Sequence, residues 1–253
     1  KKYISALVSE DCWQATPGKV VDLVRNLGIA AGGTVMEDCR VLEACREGKY
    51  TSVLVQTHDK KYVEYRTEHF VNALGSGAGK LCDSMGIDAG LYPVRHQAFI
   101  TRRLPMLGKH GTNLDMLIDR QDYKGFSAVY GQQIAYTGQI IGCASPKLDA
   151  MRIDKNLKVN TKAFLEIVSE MFSEWIPDLA GVGIQAVWAG YYTEPRYIVD
   201  PELGLFVGMR GHGFMLSQYI ARMYVDKLLG RPVPEYFEKL KLNGPGLSEK
   251  AFK

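Results

Sequence analysis

Between Gly204 and Leu216 the chain concentrates residue types that could do chemistry. Gly208, Gly211 and Gly213 alternate with Met209, Arg210 and His212, and Phe214 and Met215 follow. Glycines at that density do not serve strand pairing. They suit a turn whose backbone takes positive φ or lies close against something flat. Leu205 to Val207 reads as a short buried strand before the turn. A helix follows, with Leu216, Tyr219, Ile220 and Met223 on its buried face and Leu228 and Leu229 near its end, before Gly230 and Pro232 stop it. A glycine turn feeding a helix N-terminus offers free N–H groups at the positive end of a dipole. An electron-rich, partly anionic ring edge would fit there. Arg210 is a spare cation within the turn, or a solvent-facing residue. His212 is a candidate acid–base group, or a histidine that hydrogen-bonds backbone.

A second strand, glycine turn and helix is expected earlier. Phe70 to Leu74 is apolar, Gly75, Gly77 and Gly79 form the turn, and Lys80 to Met85 begins a helix. Its spacing is not Gly-x-Gly-x-x-Gly followed by an acidic residue. Upstream, Thr16 and Pro17 start a helix whose apolar face is Val20, Val21, Leu23, Val24 and Leu27 and which ends at Gly32 and Gly33. A small β-meander follows, with strands at Arg40 to Ala44, Thr51 to Gln56 and Tyr62 to Arg66. From Gln97 to Ile141 strands predominate: Gln97 to Arg103, Leu114 to Asp119, Gly125 to Tyr130 and Gln133 to Ile141, the last two interrupted by Gly131 and Gly138. With no helix between them, they predict an antiparallel sheet. Val159 to Trp175 is an amphipathic helix capped by Asn160, with Phe164, Leu165, Val168, Met171, Phe172 and Trp175 as its buried stripe. Gly183 to Tyr192 is a strand, so Tyr191 and Tyr192 point to opposite faces and at most one faces a site, Trp188 sharing the face of Tyr192. Tyr197 to Val199 is a further short strand. The tail after Pro232 reads as a surface segment.

The 253 residues can bury a sizeable core. A net charge of +3 gives no case for a nucleic-acid or membrane partner. Cys12, Cys39, Cys45, Cys82 and Cys143 lack the close pairing of a zinc site. So sparse and odd a set points to a reducing compartment, the cytoplasm, with peripheral membrane association as the alternative.

Gly-x-x-Gly-His-Gly-Phe before a helix resembles the flavin-contacting C-terminal segment of the FAD-dependent amine and amino-acid oxidoreductases. That family includes D-amino-acid oxidase, glycine oxidase, sarcosine oxidase and dye-linked proline dehydrogenases. Three further motifs follow family order: Cys39, Arg40 and Val41 after the first helix, the Asn72 to Gly79 turn, and Pro93 to Gln97. The last resembles the family's Pro-x-Arg-Gly-Gln strand, with His96 in the place of the glycine. The resemblance covers nearly the whole chain. The family's opening βαβ unit with Gly-x-Gly-x-x-Gly is not in these residues, so the chain looks like the C-terminal portion of such an enzyme.

The resemblance implies an α/β plus α+β fold: the remainder of an FAD-binding Rossmann-like domain (1–91, returning at 201–253) and a substrate domain built on a large antiparallel sheet (92–200). It implies FAD as cofactor. Val41 would meet the adenine through its backbone, and Ala73, Leu74 and Gly75 would line the dinucleotide. Gly208, Met209, Arg210, Gly211, His212, Gly213, Phe214 and Met215 would hold the pyrimidine edge of the isoalloxazine. The implied reaction is hydride removal from the carbon beside an amine of a small amino or imino acid, such as proline, sarcosine, glycine or a D-amino acid. Electrons would pass to oxygen, a quinone or a dye-like carrier. Tyr191, Tyr192, Arg210 and His212 are the candidate catalytic residues, with no metal. Sarcosine-oxidase-like members carry a lysine where Met215 stands, and another, for oxygen activation, in a strand matched by Tyr136 to Gly142, which has none; the second difference points toward a dehydrogenase. A second chain could supply the Gly-x-Gly-x-x-Gly unit. A non-catalytic subunit or remnant of this fold, acting in assembly or binding, is the alternative, and a 2-hydroxy-acid dehydrogenase is a third.

Overall fold

The computed structural model describes residues 7–107, 114–120, 126–134, 137–146, 157 and 161–246. Two compact units emerge. One is built from the chain up to Gly90 and again from Arg196, the other from Leu91–Pro195. Asn160, the expected cap, and Tyr136 lie outside the described residues.

The first unit begins with α1 (Pro17–Ala30), which has proline in its first turn and ends as expected at Gly32, at φ 91°. Thr16 occupies the N-cap, but its side chain makes no capping hydrogen bond. The amphipathic pattern is present without the burial it predicts. No residue of α1 is buried, and Val21, Leu23, Val24 and Leu27 are each more than half exposed.

The meander forms as read: β1 (Arg40–Glu47), β2 (Tyr50–Gln56) and β3 (Tyr62–Thr67) make an antiparallel sheet in that order. Helix α2 (Ala78–Ser84) lies against β1, where Ser84 Oγ accepts from the Ala44 amide at 3.1 Å. Ala44, Val53, Val55 and Leu81 form the core there.

After the second unit the chain returns through β9 (Ile198–Asp200) and β10 (Leu205–Val207), an antiparallel pair, and enters α4 (Gly213–Leu228). Ile220, Met223 and Tyr224 of α4 are buried, whereas Tyr219 and Leu229 are exposed, so the buried stripe is narrower than the sequence predicts. The tail is not a surface segment. Residues Glu235–Leu240 form a 3₁₀ turn whose Phe237 and Leu240 are buried against Tyr197, Val199 and α4. Charged neighbours hid these two apolar side chains at i, i+3 spacing.

The second unit is a five-stranded antiparallel sheet, ordered β5 (Leu117–Asp119), β6 (Phe126–Ile134), β7 (Gln139–Pro146), β4 (Tyr92–Thr101) and β8 (Ile184–Glu194). Helix α3 (Thr161–Trp175) covers one face. Phe164, Val168, Met171 and Phe172 pack there against Phe99, Val129, Ile140 and Ala144. Gly131 does not interrupt a strand. It lies within β6 and pairs with Gly142 of β7, which pairs with Phe99. A Cβ at Gly131 would fall 2.5 Å from the Phe172 ring, and one at Gly142 would fall 2.4 Å from the Phe99 ring. The two glycines make the hollow that accepts both aromatic rings. Gly138, at φ 67°, belongs to the connection between β6 and β7, so Gln133 to Ile141 is not one strand. Among the described residues no helix is long and apolar enough to cross a membrane.

Candidate functional site

In the first unit the two glycine turns, separated by more than a hundred residues of sequence, are brought side by side. Asn72 and Leu205 form a parallel bridge. The Asn72 amide donates to the Gly204 carbonyl at 2.8 Å, and the Phe206 amide donates to the Asn72 carbonyl at 3.0 Å. Phe70 to Leu74 is otherwise irregular, so the expected strand is reduced to this bridge. The Asn72 side chain is wholly buried; its Nδ2 donates to the Ala78 carbonyl and its Oδ1 accepts from the Leu74 amide. One amide thereby fixes the chain through the turn into α2. Gly204 admits no side chain, since a Cβ there would lie 2.5 Å from the Phe70 carbonyl oxygen.

Each segment then turns through a glycine in the left-handed region, Gly75 at φ 54° and Gly208 at φ 73°, and leads into a helix. Past Gly208 the backbone makes a 3₁₀ turn at Arg210–His212, with Arg210 itself at φ 48°, before α4 begins at Gly213. Gly213 stands against Met209, where a Cβ would come within 2.8 Å of the Met209 Cβ. The His212 ring lies 6.4 Å from that of Tyr197. Gly211, His212, Phe214 and Met215 are exposed, and Gly208 is buried. The N-terminus of α4 has no capping side chain and no acidic residue in its first turn. Its N–H groups and positive dipole end are uncompensated from within the helix. Ala73 and Leu74 are exposed at the neighbouring turn, and Val41 is half-buried in β1 beside a bulge between Val41 and Glu43. This donor set fits the electron-rich edge of a flavin ring: backbone N–H groups, small residues and no carboxylate.

The sheet of the second unit sorts the two tyrosines as alternation requires. Tyr191 pairs with Arg95 on one face, and Tyr192 lies on the other face, with Trp188. A transverse row of paired residues crosses the sheet on that second face: Ile118, Tyr130, Cys143, Ala98 and Trp188. The Tyr130 and Tyr192 hydroxyls are 3.3 Å apart. Burial raises the Tyr130 and Tyr192 phenols above their ordinary range and lifts the Cys143 thiol, so all three keep their protons at neutral pH. His96 stacks on Tyr192, with ring centroids 3.8 Å apart. Tyr130, Cys143 and His96 were not foreseen as site residues. Period-two alternation placed each on a face, but the strand order that gathers them is not written locally.

The family model for FAD dependent oxidoreductases matches residues 1–227. Among solved structures, L-proline dehydrogenase from P. horikoshii is similar at 24% identity and a TM-score of 0.69, over 89% of this chain and 59% of that one. Glycine oxidase from Geobacillus kaustophilus is similar at 17% identity and a TM-score of 0.65, over 85% of this chain and 54% of that one. Iminodiacetate oxidase from Chelativorans sp. BNC1 is similar at 15% identity and a TM-score of 0.65, over 90% of this chain and 58% of that one. No curated protein sequence matches. The chain thus spans 54 to 59% of the length of these three structures and shares their fold. Glycine turns, sheet and family match agree: the chain belongs to the FAD-dependent oxidoreductase family.

Proposed function

We propose that this chain forms the flavin-edge and substrate-side part of an enzyme that oxidises the C–N bond of a small amino or imino acid. The observation that carries this reading is the Asn72–Leu205 bridge, which sets the Gly75 and Gly208 turns side by side ahead of two helices. Residues 1–91 and 201–253 serve the cofactor, and 92–200 serve the substrate. Val41, Ala73, Leu74 and Gly75 line the dinucleotide, and Gly208, Met209, Arg210, Gly211, His212, Gly213, Phe214 and Met215 hold the ring edge. Bound there, FAD supplies the hydride acceptor. The N–H groups at the start of α4 favour negative charge at the ring edge, a preorganised electrostatic effect. Arg210 adds positive charge to that turn, and His212 hydrogen-bonds within it. Of the two tyrosines the substrate contact goes to Tyr192, because Tyr191 lies on the face it shares with Arg95. Protonated Tyr192 and Tyr130 donate hydrogen bonds to a substrate carboxylate.

The names of the similar structures, a proline dehydrogenase, a glycine oxidase and an iminodiacetate oxidase, support a small amine-bearing acid as substrate. The absence of a lysine from the stretch Tyr136 to Gly142 favours a dehydrogenase that passes electrons to a quinone or dye-like carrier over an oxidase. The Gly-x-Gly-x-x-Gly unit is supplied by further residues of the same protein or by a second chain.

The test is an absorbance spectrum and intact mass of the purified protein, followed by anaerobic addition of L-proline, sarcosine, glycine and D-alanine. Bleaching of a flavin band by one of them is the expected result. A folded, colourless protein of this chain's mass would overturn the reading and leave an assembly or binding role. In a flavin-loaded protein, Gly208→Val is expected to reduce flavin content severalfold, because a β-branched residue is strained at positive φ.

A further inference from the structure

The tyrosine-bearing face of the sheet holds one polar atom that nothing in the fold accounts for. His96 of β4 lies opposite Gly190 of β8, where an added Cβ would meet nothing within 4 Å. The imidazole lies on the Tyr192 ring, with an interplanar angle of 28°. Its Nδ1 is buried and has no hydrogen-bond partner among the described residues. The hydroxyl of Tyr192, the ring in this stack, lies 3.3 Å from that of Tyr130. Buried side-chain nitrogens in native proteins almost always have a partner, so an orphan in a cluster of this kind asks for one from outside the fold.

The protonation states on this face are complementary. Burial lowers the His96 pKa to about 4, so the ring is neutral at working pH and one of its nitrogens is a lone-pair acceptor. The phenols remain donors. A ligand that meets both needs carries an N–H at one end and acceptor oxygens at the other, which describes a small amine-bearing carboxylic acid.

We infer that His96 is a ligand-contacting residue whose Nδ1 accepts a hydrogen bond from the substrate N–H, while the Tyr130 and Tyr192 hydroxyls donate to its carboxylate. This inference rests on the amino-acid reading above and names the residue that selects for nitrogen. No proton is transferred. His96 holds its proton on Nε2 and fixes the orientation of the amine. The family strand that this segment resembles carries glycine at this position, so the contact is a property of this chain and His96→Gly is compatible with the fold.

Two unreactive probes of nearly equal shape separate the N–H from everything else. Pyrrole-2-carboxylate has one and furan-2-carboxylate lacks it. Binding of each to the flavin-loaded protein is measured by calorimetry, with the His96 ring nitrogens followed by ¹⁵N NMR. The pyrrole acid is expected to bind ~3- to 10-fold more tightly, the size of one hydrogen bond, and to move the Nδ1 resonance. His96→Gly is expected to abolish the preference, and His96→Asn, whose side-chain oxygen can accept, to keep part of it. Equal preference in wild type and His96→Gly, an unmoved Nδ1 resonance, or no binding of either acid would overturn the inference. Flavin bleaching by L-proline is scored separately. Bleaching without the preference sinks the His96 contact alone. The preference without bleaching sinks the oxidation reading and leaves the contact in place.

Discussion

His96 shows how burial alone sets the behaviour of a side chain. Its imidazole is held against an aromatic ring, and the loss of water pushes its pKa to about 4. Between the unfolded value near 6.5 and that folded value, the unfolded chain binds a proton that the folded chain refuses. Stability from this residue is therefore complete above about pH 6.5 and falls as pH drops toward 4, by up to about 3 kcal/mol. Tyr130, Tyr192 and Cys143 stay protonated throughout this window and do not mask the effect. The urea midpoint of wild type is expected to drop more than that of His96→Asn between pH 7 and pH 4.5. Parallel slopes would show that the ring is solvated.

The glycines that matter divide at the level of elements into those the chain announces and those it conceals. Gly75 and Gly208 stand between an apolar run and a helix, so their turns are legible from spacing. Gly131 looks like a break in a strand and Gly142 falls just past the end of one, because nothing near them in sequence reveals the Phe172 and Phe99 rings that fill their places. The Asn72–Leu205 bridge is equally hidden: a single pairing leaves no periodic trace in either segment. Strand types and the α3 stripe were readable because alternation and 3.6-residue periodicity are local properties. The buried tail residues Phe237 and Leu240 were not, two apolar side chains being too few to define a period. Gly142→Ala puts a methyl group 2.4 Å from the Phe99 ring and 2.7 Å from the Tyr130 carbonyl. Overpacking of this kind is expected to cost roughly 1–3 kcal/mol, read as a lower thermal midpoint, with Phe99→Leu in the same chain restoring part of the loss. No change in midpoint would mean that the sheet yields there.

Across the whole chain, the family was legible because its four motifs keep their order. The first helix is the exception. Nothing in α1 is buried, although it carries an apolar face as α3 does. Periodicity reports which face would be covered, not whether a cover is present. In this 253-residue chain Leu27→Glu is accordingly expected to change the free energy of unfolding, measured in urea, by no more than ~0.5 kcal/mol, the range of exposed substitutions, whereas the same change at Met171 of α3 unfolds the second unit. A large loss at Leu27 would show that α1 is packed in solution.

The second unit comes, in sequence, between the two stretches of the first, and this order also sets an order of assembly. Leu91–Pro195 is one uninterrupted stretch, whereas the first unit closes only when Leu205 reaches Asn72. On the ribosome the five-stranded sheet can therefore collapse on α3 while the Gly75 turn still waits for its neighbour. The groups at that turn become a paired set only after β10 has been made. A nascent chain halted before β10 would own a finished sheet and half a cradle, and any cofactor that needs both halves could join only after translation has passed the second glycine turn.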